Sequence, residues 1–121
     1  MSDSYDLEKP LSLSCPECGG VLRPNDEGAI RRYRCHIGHM LTAETVLVAQ
    51  FDVLEGKLGG CLALLNERAD LCRKMAADAR ARGEDPAPFE AAAREALARA
   101  EPLKELLQAE WVHPLAVPAD P

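Results

Sequence analysis

The chain has 121 residues, a formal net charge of −6 and five cysteines. This length supports one small domain, or a very small module joined to a second element, and leaves no room for a large enzyme core. The negative balance disfavours binding to nucleic acid or to anionic membranes, because the whole-molecule field repels phosphate.

The acidic, polar segment Met1 to Pro10 lacks the basic start and apolar core of a signal peptide and is read as a flexible tail. No apolar run reaches the roughly 20 residues a membrane helix requires. A cytoplasmic, thiol-reducing location is therefore expected. Three of the cysteines crowd between Cys15 and Cys35, whereas Cys61 and Cys72 stand alone in helical sequence. In a reducing compartment such clustering points to a metal rather than to disulfides.

Residues 11–41 carry the densest chemistry. Cys15 and Cys18 form C-x2-C, Cys35 and His39 form C-x3-H, and 16 residues separate the pairs. Four soft or borderline ligands suit a tetrahedral structural zinc site, and each pair must bend its backbone to aim two side chains at one ion. Gly19, Gly20 and Gly38 stand where such bends, or close approach of amides to sulfur, are needed. The expected metal is zinc, held by Cys15, Cys18, Cys35 and His39. His36 is the competing fourth ligand; it is set aside because neighbours in an extended chain point to opposite sides. A redox C-x2-C would need a βαβ context that is absent, and an iron–sulfur centre is the other alternative for this donor set. Glu17, inside the first pair, is read as a solvated carboxylate.

Val21 to Arg23 and Ile30 to Arg34 read as short strands joined by the turn-forming Pro24-Asn25-Asp26-Glu27-Gly28, which is a zinc-ribbon layout. Leu11 and Leu13 alternate with serines and suggest a third strand. Arg31, Arg32 and Arg34 form a local basic patch, whose plain reading is a solvated strand face.

From Ala43 the apolar period lengthens to about 3.6 residues. Thr42 is a suitable N-cap, and Gly83 a suitable stop. Between them one helix of residues 43–82 would carry the stripe Leu47, Phe51, Leu54, Leu58, Leu62, Leu65, Ala69, Cys72, Ala76 and Ala79. Gly56, Gly59 and Gly60 predict either a kink or a neighbouring helix packed against the gap. Cys61 and Cys72 are read as buried small hydrophobes. After "GEDPAP", Asp85 and Pro86 open a second helix over 86–109 with the seam Phe89, Ala93, Ala96, Ala100, Leu103 and Leu107. Pro102 should kink it. The proline-punctuated residues 111–121 should be extended, with Trp111, Val112, Leu115 and Val117 available for docking and His113 exposed.

The fold expected is mainly α with a small β zinc ribbon: an N-terminal ribbon hairpin followed by a long antiparallel helical hairpin over 42–110. An alanine-rich seam buries little area, so self-association into a homodimer or a helix of another protein is implied. No small-molecule substrate and no catalytic triad are legible.

The segments "CPECGGVL", "RYRCHIGH" with "TAETVL", and "LNERADLCRKMAADARARG" resemble the zinc-ribbon and helical-hairpin extension at the C-terminus of some bacterial CheB-type chemotaxis methylesterases. The resemblance runs from about Leu11 to Gln108. It implies Cys15, Cys18, Cys35 and His39 as metal positions and a role in bacterial signalling, without the esterase activity. A nucleic-acid-binding regulator using Arg31, Arg32 and Arg34, and a thiol–zinc redox or metal sensor, are the rival expectations.

Overall fold

A computed structural model describes Leu7 and residues 12–115. The expected tail over 1–10 and the positions Leu11 and Val117 otherwise lie outside the described residues. Four short strands, β1 (Leu13–Ser14), β2 (Val21–Pro24), β3 (Arg32–Cys35) and β4 (Met40–Thr42), precede two helices, α1 (Ala43–Ala81) and α2 (Ala87–Gln108). The chain divides into two compact units, the first reaching Val53 and the second spanning Leu54–Pro114.

The strands form an antiparallel sheet in the order β1-β2-β3-β4. Leu13 pairs with Leu22, Leu22 with Cys35, and Tyr33 with Leu41, so the apolar positions fall on one face. Cys15, Leu22, Cys35, Leu41 and Val46 make the buried core, with Leu13 and Tyr33 packed against it. Two differences from the expected ribbon follow from the turns. Pro24 belongs to β2, and the reversal is the tight turn Glu27 to Ile30, closed by reciprocal backbone bonds of 3.0 and 2.9 Å. Ile30 therefore lies in the turn, and β3 begins only at Arg32. Strand β4 was not legible, because three residues between a metal-ligand motif and a helix cap are too few to show alternation.

The helix ends follow local chemistry. Thr42 Oγ1 accepts the Thr45 N–H at 3.2 Å, capping α1. At the other end Gly83 adopts φ +74, Glu84 N–H reaches the Ala79 carbonyl at 2.8 Å and Gly83 N–H the Arg80 carbonyl at 3.1 Å. This pair of bonds is a Schellman motif, and it satisfies carbonyls the helix leaves without partners. Asp85 Oδ1 accepts the Ala87 N–H at 3.0 Å as α2 starts.

α1 runs without interruption through Gly56, Gly59 and Gly60, and a Cβ added at any of them would meet nothing within 4 Å. The expected close packing against that gap is thus absent among the described residues. α2 likewise continues through Pro102. In the second unit the buried residues are Ala69, Cys72, Ala76 and Ala79 on α1 and Ala93, Ala96 and Ala100 on α2. Arg80 and Glu90 form an ion pair between the helices near the loop. The two seams make an antiparallel helical hairpin whose small side chains permit close approach. Cys72 is buried as expected, but Cys61 is exposed. Leu47 and Leu54, assigned to the buried stripe by spacing, are also exposed.

Past α2, Trp111 Nε1 donates to the Leu106 carbonyl at 3.1 Å, folding the start of the tail back onto the helix end. His113 is exposed. No helix among the described residues is long and apolar enough to cross a membrane.

Candidate metal centre

Each ligand pair sits on a tight turn that the sheet holds in place. In the first, Cys15 N–H donates to the Gly20 carbonyl at 2.7 Å and Gly19 N–H to the Cys15 carbonyl at 2.8 Å. In the second, Cys35 N–H donates to the His39 carbonyl at 3.1 Å and Gly38 N–H to the Cys35 carbonyl at 3.0 Å. Gly19 and Gly38 take φ +76 and +99, the left-handed region that these reversals require.

The consequence is convergence of side chains far apart in sequence. Ligand atoms of Cys15, Cys18, Cys35 and His39 all lie within 4.8 Å of one another, so the four could bind a metal ion. Cys15 and Cys35 are 1% and 3% exposed and belong to the lobe core, whereas Cys18 is exposed and His39 half-buried. His39 Nδ1 stands 3.2 Å from Cys35 Sγ and 3.7 Å from Cys15 Sγ. His36 is not in this cluster. Its ring lies instead against Gly20, where a Cβ would come within 2.5 Å of it.

The electrostatics favour thiolate at the two buried sulfurs. Burial pushes the Cys35 thiol up, but backbone amides of His39 and Ile37 and the side chains of Cys18 and His39 outweigh it, bringing it down to about 6. Cys15 is lowered in the same way: burial opposes, and the amides of Cys18 and Glu17 together with the Cys18 and His39 side chains prevail. At Cys18 the Gly20 amide pulls the thiol down, yet burial and the neighbouring Cys15 and Cys35 sulfurs leave it raised. The Cys15 sulfur, followed by Cys35 and Glu17, holds the His39 imidazole above its usual range, against the effect of burial.

Glu17, read from the sequence as a solvated carboxylate, is exposed but also reaches the histidine of the cluster. Its Oε2 lies 3.2 Å from His39 Nε2, the ring nitrogen turned away from the sulfurs. A carboxylate there fixes the tautomer that leaves Nδ1 free to ligate, an arrangement common around metal-bound histidines. Its position between the two cysteines was the only available signal.

Arg32 and Arg34, two positions apart on β3, share one face of the sheet. Arg32 is bound to Glu27 at 2.8 Å, while Arg34 stands opposite Arg23 across the β2–β3 pair. Comparison with protein-family models, with curated proteins and with solved structures finds no match for the chain.

Proposed function

We propose that this protein is a non-enzymatic, zinc-stabilised interaction module of bacterial signalling, in which the ribbon lobe is held by zinc and the helical hairpin engages a second copy of the chain or another protein. The observation that carries the reading is the Cys15, Cys18, Cys35 and His39 cluster within 4.8 Å. In a tetrahedron with Zn–S near 2.3 Å and Zn–N near 2.0–2.1 Å, sulfur and nitrogen ligands stand about 3.5 Å apart. The distances of 3.2 and 3.7 Å from His39 Nδ1 to Cys35 and Cys15 bracket that value. The ligand shell would use all four residues and leave no open position for substrate, which favours a structural over a catalytic ion. Zinc would supply folding energy to a lobe whose core is only five buried residues.

The interaction role draws on the other face of α1. Leu54, Cys61, Leu64, Leu71 and Met75 recur at intervals of seven, three, seven and four and are all exposed, Leu64 at 66% and Leu71 at 58%. Their spacing follows the heptad of a helix-packing seam. The stripe lies one residue off the alanine seam that faces α2, and so on an adjacent side of the same helix.

Metal analysis with light scattering tests both halves. One zinc per chain and a dimer mass that falls to the monomer in Leu64→Glu/Leu71→Glu are the expected results. A chain purified under reducing conditions without metal, and unable to take up zinc, refutes the ribbon. A monomer indifferent to those substitutions, capturing no protein from its host, refutes the hairpin's role.

A further inference from the structure

The outward face of the sheet carries two guanidinium groups that no carboxylate among the described residues neutralises. Arg23 on β2 and Arg34 on β3 are direct cross-strand partners, both exposed, and neither has an ion pair or hydrogen bond from its side chain among the described residues. Like charges directly opposite each other destabilise a strand pair. Arg32 shows the alternative this sheet uses elsewhere, since its charge is met by Glu27 at 2.8 Å. The Arg23–Arg34 pair opens onto a depression of about 420 Å³, lined also by Pro24, Asn25, Cys35 and His36. Two of its walls are held in place: Asn25 Nδ2 donates to Met40 Sδ at 3.3 Å, and the His36 ring rests on Gly20.

We propose that this depression is an anion site that takes a single phosphate monoester group between Arg23 and Arg34. Two guanidinium groups match the charge of the dianion, and their planar N–H forks match its oxygens. The depression exceeds the size of a phosphate and has room for the group that bears it. A net charge of −6 repels a long polyanion, so the phosphate belongs to a small molecule or to one modified side chain rather than to nucleic acid. The site owes nothing to the partner of the helical hairpin.

Titration of the protein as purified with inorganic phosphate, at constant ionic strength and followed through the arginine Nε–H signals by NMR, tests the assignment. Arg23 and Arg34 should shift together and saturate while Arg31 does not. Arg23→Gln and Arg34→Gln should each weaken binding about tenfold, the loss expected for one charged hydrogen-bond partner. Arg31→Gln, which removes the same charge from a neighbouring exposed position, should change it less than twofold. A uniform response of all arginines, or equal loss in Arg31→Gln and Arg34→Gln, would overturn the site in favour of a diffuse field. Adenosine monophosphate and a phosphoserine tripeptide distinguish the two sources; at least one should bind more tightly than phosphate, and failure of both also refutes the proposal. Tighter binding of a single-stranded oligonucleotide, with the steep salt dependence of several phosphate contacts, would replace the single-phosphate reading. Should either variant fail to fold, the shifts in the native protein decide alone.

Discussion

The N-terminal lobe and the helical hairpin meet the same difficulty, a core too small to hold itself together, in opposite ways. In the lobe, two of the five core residues are cysteines whose sulfurs converge with Cys18 and His39 from two turns. In the hairpin the buried residues are six alanines and Cys72, and regular helix with close seams takes the place of bulk. A region that relies on a few strong bonds is lost when one of them goes. One that relies on many weak contacts should lose stability by degrees.

The largest expected effect is therefore in the lobe. Cys35→Ser, or a strong chelator, should unfold it while most of the helical signal at 222 nm survives, because the structural zinc we propose would contribute on the order of 10 kcal/mol. Dispersion of lobe amide signals by NMR is the measurement, and a lobe that stays ordered without metal would erase the contrast. Next comes Ala96→Leu on the buried seam of α2, which should lower stability by about 1–3 kcal/mol through overpacking, read as a shifted denaturant midpoint with the metal site intact. Glu17→Gln should weaken metal affinity about tenfold by loosening the His39 ring, without changing the stability of the hairpin. Competition with a chromophoric chelator measures it.

A substitution in the opposite direction sharpens the contrast further. Gly60→Ala should stabilise α1 by about 0.8–1 kcal/mol, since a Cβ there meets nothing and the helix gains backbone rigidity. The remaining effect concerns pH. In the metal-free chain Cys35 ionises near 6, below the ordinary thiol value of 9.0, so folding favours its thiolate. That contribution is fully present above pH 9 and fades as pH falls through about 6. Metal uptake by the lobe should then be weaker at pH 5.5 than at pH 8, where protons no longer compete for the thiolates, as read by competition with a chromophoric chelator, and the stability of the hairpin should show no matching change from this group.

Much of this was legible in the chain because the signals are local. The C-x2-C and C-x3-H pairs, the glycines behind them, the Thr42 cap, the Gly83 stop and the Asp85–Pro86 start each act within a few residues, and the helix ends fall within a residue or two of where they point. The alanine seam of α2 was also readable, since Ala93, Ala96 and Ala100 keep one period throughout. The first helix was harder, because apolar residues cover two adjacent stripes. Spacing alone could not tell that Ala69, Cys72 and Ala76 are covered while Leu54, Leu64 and Leu71 are not.

What the sequence by itself determined is the donor set and the boundaries of the helices, because ligand spacing, caps and backbone breakers are properties of short segments. Only the tertiary structure decided that Glu17 backs the His39 ring and that Arg23 faces Arg34. Those pairings depend on strand register and on which way each turn folds. Register is set by the burial of Leu22, Cys35 and Leu41 together, which no single segment specifies alone.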